Sequence, residues 1–389
     1  MIINFSTPFA SQYATLTPGT TLLELEGNIL STRTSEELTR AFSAIPVGIT
    51  HVKIGYNSLG TLTGQQLATA FAGLHAGVTT LNLNYNLLYK RSGAEFVQVF
   101  AALPAGLTSL SLANNGFSMQ SAADELVTAF EALPPGVTDL DLEGNHLGYI
   151  RSYKLRVIFE SLPTTITSIN LKSSKFDYYS GNELADVFIA LPSKVTTLNL
   201  EDNKLGLLSG KELATVFAAL PEGLTSLNLA NNRLGLRTVK ELIEAFAVLP
   251  PSVTSINLSQ NNLNNKTDAE LVELIKNIPE TVTEIISDEE SQKRFKQLIP
   301  IVRDKTVAEP VSDEVSQEQF RQLCQMVRDK PFKNIGELDS AIPSLSRTET
   351  IYDYLIGSPY ALWEKNKHKA PDQIAKIAED QLESIATLQ

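Results

Sequence analysis

One sentence of sequence is written nine times along this chain. Residues 195–221 read VTTLNLEDNKLGLLSGKELATVFAALP, and close variants precede and follow them. The asparagine of the turn recurs as Asn28, Asn57, Asn86, Asn115, Asn145, Asn203, Asn232 and Asn261, with Ser174 in sixth place. Successive positions are 29 residues apart, except for one step of 30. A fixed period of this size confines the chain to a solenoid, because each unit can bury its apolar face only against its neighbours.

Each unit has two halves. In the first, Leu198 and Leu200 alternate with Thr197, Asn199 and Glu201. Period two predicts a strand of four to six residues with one face buried. Because each strand returns through a helix, neighbouring strands pair in parallel. At the asparagine the chain turns inward and leaves backbone polar groups without sheet partners. A side-chain amide both donates and accepts, so it is predicted to satisfy them and to stitch one turn to the next.

The second half predicts a helix. Thr34/Glu37, Thr63/Gln66, Ser92/Glu95, Ser180/Glu183, Ser209/Glu212, Thr238/Glu241 and Thr267/Glu270 all carry the capping-box spacing. A phenylalanine follows at Phe42, Phe71, Phe100, Phe130, Phe159, Phe188, Phe217 and Phe246, with Ile275 ninth, and predicts an aromatic spine behind the sheet. Leu-Pro or Ile-Pro closes almost every unit, because proline cannot continue the helix. Two units deviate. Repeat five reads IRSYKLRVIF without a capping box. Repeat six has Ser174 and Phe176, which predicts a looser or re-shaped turn near Tyr178 and Tyr179.

The wording aliphatic-x-x-Leu-x-Leu-x-x-Asn-x-Leu, at a period near 29 with a helix in each unit, resembles the leucine-rich repeat of the ribonuclease-inhibitor type. The resemblance covers residues 19–287. It implies an α/β leucine-rich-repeat solenoid, with a curved parallel sheet inside and helices outside. Residues 1–18, with Ile2, Ile3, Phe5 and Phe9, then read as an N-terminal cap. A degenerate tenth strand, VTEIIS, ends the pattern at 287. Residues 288–389 read as an all-α C-terminal domain. It opens with two segments, 287–305 and 312–330, that match at 12 of 19 positions.

Composition removes several function classes. A net charge of −12 argues against phosphate-backbone binding, so no nucleic acid partner is expected. A single cysteine excludes an internal disulfide framework and a multi-cysteine zinc site. Four scattered histidines give no metal-ligand spacing. No apolar run is long enough to cross a bilayer. The start, MIINFSTPFASQYA, lacks the basic and apolar regions of a secretory signal peptide. No phosphate-cradling or dinucleotide fingerprint appears, so no cofactor is expected. Cys324 lies between Leu323 and Met326 without a neighbouring histidine, and reads as a core residue rather than a nucleophile. Some bacterial leucine-rich-repeat proteins carry a cysteine ubiquitin-ligase domain with a Cys-x-Asp motif. Here Cys324 is followed by Gln-Met and the tail is much shorter.

Binding is therefore the reading, and no catalytic residue is assigned. Solenoids offer extended concave surfaces. The side chains set toward that surface include Lys53, Asn82, Asp139, Asp141, Glu143, Lys172, Asn199 and Glu201, with Tyr56 and Tyr85 just past their strands. Tyr56, Tyr85, Asp139, Asp141 and Glu143 are the leading partner contacts, because rigid tyrosines anchor interfaces well.

The LP-x-G-[VL]-T-S-L-[ND]-L-x-x-N-x-L wording with alanine-rich helices is similar to the leucine-rich-repeat effectors of Legionella. That resemblance implies a protein made in the bacterial cytoplasm and injected into host cells by a type IV secretion system, with a host protein as partner. Such signals lie near the C-terminus and are often glutamate-rich; residues 374–389 carry Glu379, Asp380 and Glu383. The alternative function is an enzyme or adaptor acting through the helical C-terminal domain, for example in host ubiquitin transfer.

Overall fold

The computed structural model describes residues 9–27, 30–119 and 123–287. Asn28, Ile2, Ile3, Phe5, Cys324 and the segment expected to form the C-terminal helical domain lie outside the described residues.

The described residues form one ten-stranded, all-parallel sheet in strict chain order. Its strands are β1 (Leu22–Glu24), β2 (His51–Lys53), β3 (Thr80–Asn82), β4 (Ser109–Ser111) and β5 (Asp139–Asp141). They continue as β6 (Ser168–Asn170), β7 (Thr197–Asn199), β8 (Ser226–Asn228), β9 (Ser255–Asn257) and β10 (Glu284–Ile286). The register joins equivalent residues, as in Leu198 opposite Leu227. The solenoid expected from the period is thus present.

Each strand is three residues long, shorter than the four to six expected. The ladder itself runs further. Leu83 N–H donates to Ser111 O at 2.8 Å and Tyr85 N–H to Ala113 O at 3.1 Å, beyond the end of β3. The central residue of every strand, from Leu23 and Val52 to Ile256 and Ile285, is buried, while its two neighbours face outward. Period-two patterning therefore sets the face of each strand, and the inward turn at the asparagine limits its length.

The asparagines form a buried ladder. Asn57, Asn86, Asn115, Asn145, Asn203, Asn232 and Asn261 are all essentially inaccessible. The Asn86 amide oxygen accepts the Asn57 backbone N–H at 3.0 Å, one repeat back. Asn115 accepts from Asn86 at 2.9 Å and Asn145 from Asn115 at 2.9 Å. Each amide nitrogen faces the carbonyls. Asn203 Nδ2 donates to Leu171 O, one repeat back, at 3.0 Å and to Leu200 O of its own repeat at 3.0 Å. Buried backbone groups that no strand can pair are satisfied in this way.

A short 3-10 turn follows each asparagine and leads to the helix. All seven capping boxes read from the sequence are formed, with hydroxyl and N3 side chain bonded reciprocally. One feature had no reading in the sequence. In three repeats the second oxygen of the capping carboxylate also accepts a backbone N–H of the preceding repeat: Glu95 from Gly64 at 2.8 Å, Glu212 from Gly181 at 3.2 Å and Glu241 from Gly210 at 3.3 Å. The caps are therefore chained. Glycine at the first helical position makes the approach possible, since a Cβ on Gly210 would lie 2.6 Å from Glu241 Cβ.

The phenylalanine spine is buried throughout, and Ile275 with it. Phe42 stacks on Phe71 with centroids 6.3 Å apart, and Phe217 on Phe246 at 5.8 Å. In the middle of the stack Phe117 and Phe176 stand where other repeats have leucine. Phe117 meets both Phe96 and Phe130 edge-on. At the N-terminal side the helix Phe9–Tyr13 places Tyr13 in the core, where its hydroxyl donates to Ala41 O at 3.1 Å. Burial raises its pKa.

The two deviant repeats behave differently from each other. The Ser174 turn keeps its shape, contrary to the looser or re-shaped turn expected. Ser173 and Lys175 hold the same left-handed backbone as their counterparts Asp202 and Lys204. Ser174 N–H donates to Asn203 Oδ1 at 2.9 Å, and Ser174 O accepts from Gly148. What is lost is the side-chain link, since the buried Ser174 hydroxyl has no partner. Tyr179 is buried and donates to Leu147 O and Ile150 O, which ties repeat six to repeat five. In repeat five Arg151 stands at the helix start without a side-chain cap, as its sequence predicts.

Candidate interaction surface

The outward residues of β1–β10 and of the turns after them form one continuous wall. Its chemistry falls into two neighbouring groups. The first is built by repeats two and three. Lys53 pairs with Glu24 across β2 and β1 at 2.8 Å, and this contact lowers the Glu24 pKa and raises that of Lys53. Tyr56 and Tyr85 stack with centroids 4.3 Å apart and planes 11° from parallel. They remain 46% and 43% exposed.

Both tyrosines sit on left-handed backbone, with φ of 57° and 56°. The same position holds Gly27, Asn114, Gly144, Ser173, Asp202, Asn231 and Gln260 in other repeats, all at positive φ. Glycine, asparagine and aspartate, which fill five of these seven positions, tolerate this region, whereas a bulky aromatic does so at a local cost. Nothing in the core requires the two rings, because they face away from it.

The second group lies on repeats five to seven. Asp139 is exposed and accepts from its neighbour Thr138 at 3.0 Å. Asp141 is held more tightly: it accepts from Glu143 N–H at 3.0 Å and from Asn170 Nδ2 at 2.8 Å. Lys172 lies between two carboxylates, 3.1 Å from Glu201 and 3.8 Å from Glu143. The bond to Glu201 raises its pKa. The three acidic residues of β5 and its turn are thus unequal. Asp139 is free toward solvent, Asp141 is engaged in the wall, and Glu143 is shared with Lys172 and Asn170.

Repeat four joins the groups. The Ser111 hydroxyl lies between Asn84 Oδ1 and Asp141 Oδ2. Burial raises the Tyr85 pKa, and the stacked Tyr56 adds to it. Asn82 and Asn199 have a local role that the repeat wording hides. Each accepts the N–H two residues on, at 3.0 Å, and Asn170, Asn228 and Asn257 do the same in their repeats. These side chains pin the strand exits, and the signal for it is the Asn or Asp at the last strand position.

Among the described residues no three His, Cys, Asp or Glu side chains converge as metal ligands would. None of the described helices is long and apolar enough to cross a membrane.

No family model and no curated protein matches this chain. Among solved structures it is similar to the leucine-rich repeat-containing protein LegL7 from Legionella pneumophila. The identity is 29%, over 80% of this chain and 98% of that one, with a TM-score of 0.69. The tropomodulin C-terminal domain of Caenorhabditis elegans is also matched, at 10% identity over 48% of this chain and 96% of that one, with a TM-score of 0.25. A fold of this kind presents one long face on which protein partners dock. With its asparagine ladder, chained helix caps and in-register parallel strands, the chain has the leucine-rich-repeat fold of the Legionella protein it resembles.

Proposed function

We propose that this chain is a non-enzymatic protein-interaction module that docks a host protein on the strand face of its solenoid. The observation that carries the reading is the Tyr56–Tyr85 pair. Two stacked rings stand nearly half exposed on backbone that disfavours them. Exposed aromatics on rigid backbone lose little entropy on binding, which makes them effective anchors. Lys53, Asn82, Lys172, Asn199 and Glu201 complete the surface around them.

In this reading the protein is a bacterial effector, made in the bacterial cytoplasm and delivered into the host cell by a type IV secretion system. Its likeness to a Legionella pneumophila protein of the same fold supports that assignment. The acidic stretch at residues 374–389 is the proposed secretion signal, and it lies outside the described residues.

The test is capture of proteins from a host-cell lysate by the full chain, repeated with Tyr56→Ala, Tyr85→Ala and Asp139→Lys combined. All three positions are outside the core, so the fold is retained. A partner lost from the variant supports the reading. A partner set identical for both proteins contradicts it.

A further inference from the structure

A second surface runs along the turns between strands and helices. The last residue of each 3-10 turn is exposed in every described repeat. It is Thr32, Thr61 and Lys90 in the first three repeats and Asn265 in the ninth. In the five repeats between them it is Met119, Tyr149, Tyr178, Leu207 and Leu236, each at least half exposed. The core does not require an apolar residue here, since four repeats manage with polar ones. Scattered apolar side chains on a surface need no explanation, but five in an unbroken row do.

The row is closely spaced. The Tyr149 and Tyr178 rings lie 4.8 Å apart, edge to face. At roughly the strand spacing per repeat, five residues span about 20 Å, the length of a helix of about 13 residues.

A line of basic residues accompanies it. Three positions before Tyr178, Leu207 and Leu236 stand Lys175, Lys204 and Arg233. Lys204 is neutralised by Asp177 at 2.9 Å. Among the described residues Lys175 and Arg233 pair with no carboxylate. Two uncompensated cations beside an apolar row are unusual in a chain of net charge −12.

We propose that the row from Met119 to Leu236 is a second docking surface, and that its occupant is a protein segment combining apolar residues with carboxylates. The apolar residues cover Tyr149, Tyr178, Leu207 and Leu236, and the carboxylates meet Lys175 and Arg233. An anionic lipid surface fits less well. The capping carboxylates Glu183, Glu212 and Glu241 follow five residues after Tyr178, Leu207 and Leu236, and a bilayer laid on the row would meet them too. This surface is separate from the strand face and does not depend on the function proposed for it.

The test uses the full chain and a labelled amphipathic peptide of about 14 residues, with leucines at i, i+3, i+4 and i+7 and glutamates at their flanks. Fluorescence anisotropy reports binding. The glutamate peptide is expected to bind, and Tyr178→Ser with Leu207→Ser to weaken it by about tenfold or more. Lys175→Glu with Arg233→Glu is expected to weaken it likewise, while Asp139→Lys on the strand face leaves it unchanged. All these side chains lie outside the core, and an unchanged melting curve verifies that the fold is kept. The proposal is overturned if the glutamate peptide does not bind, or binds the row variants as tightly as the parent. It is also overturned if the row variants lose binding to phosphatidylserine–phosphatidylcholine vesicles instead.

Discussion

Asn203 Oδ1 accepts the backbone N–H of Ser174 at 2.9 Å, yet Ser174 returns no side-chain bond to Asn145. This is the single break in the ladder among the described repeats from Asn57 to Asn261. A serine hydroxyl is too short to reach the groups that an amide reaches in every other unit. It ends buried and unpartnered, and leaves the repeat-five turn without its acceptor.

Ser174→Asn is therefore expected to stabilise the protein, by about 1–2 kcal/mol, through restored bonds to buried backbone. Urea denaturation of the two proteins measures it. Loss of stability in the variant would show that repeat six has repacked around its serine. The converse change, Asn203→Ser, is expected to cost about 1–3 kcal/mol.

Gly210→Ala tests the chained caps. Its Cβ would lie 2.6 Å from Glu241 Cβ and 2.8 Å from Glu241 Cα, both close to the backbone and unable to swing away. An overpacking cost of about 1–3 kcal/mol is expected. Gly48, where a Cβ meets nothing within 4 Å, is the control, and Gly48→Ala is expected to be near neutral. Equal melting temperatures for the two variants would remove the inter-repeat role of the caps.

Most of the fold was legible because the repeat writes its own physics nine times. Alternation at Leu198 and Leu200 gave the strand face, Ser209 with Glu212 the helix start, and Asn203 the inward turn. Strand length was not legible, because the ladder of hydrogen bonds continues past the residues that keep strand geometry. The chained caps were hidden for another reason. A capping box is a local pattern, whereas the bond from Glu212 to Gly181 joins residues 31 apart. The wall residues could be read as a face, but not their engagement. Asp139 and Asp141 look equivalent in sequence, and only packing against Asn170 and Ser111 separates the held residue from the free one. The apolar row from Met119 to Leu236 was obscured by its residue types, since leucine and tyrosine in a turn read as core until exposure is known.

Acid stability follows from the capping carboxylates. Backbone N–H and hydroxyl bonds from Ser180, Ser209, Thr238 and Thr267 hold Glu183, Glu212, Glu241 and Glu270 below the usual glutamate range. Their folded pKa values are lower than the unfolded ones. The stabilisation is thus complete above the unfolded value near 4.3 and is lost as pH falls through the folded values. Unfolding midpoints are expected to decline below about pH 4, and Glu212→Gln with Glu241→Gln to flatten that decline. Parallel acid limbs for parent and variant would contradict this.

Phe217→Ala probes the spine. Phe217 is fully buried and stacks on Phe246 with centroids 5.8 Å apart. A loss of about 3–5 kcal/mol is expected from denaturant titration. A loss below about 1 kcal/mol would mean that the neighbouring helices collapse into the gap.

Hydroxyl-radical footprinting of the full chain, with and without its captured partner, tests the strand-face assignment most directly. Tyr56 and Tyr85 report on that face, while Tyr149 and Tyr178 report on the turn edge, and all four are exposed in the free protein. The account predicts that the partner suppresses oxidation of Tyr56 and Tyr85 and leaves Tyr149 and Tyr178 unchanged. Undiminished oxidation of Tyr56 and Tyr85 in the complex would contradict it.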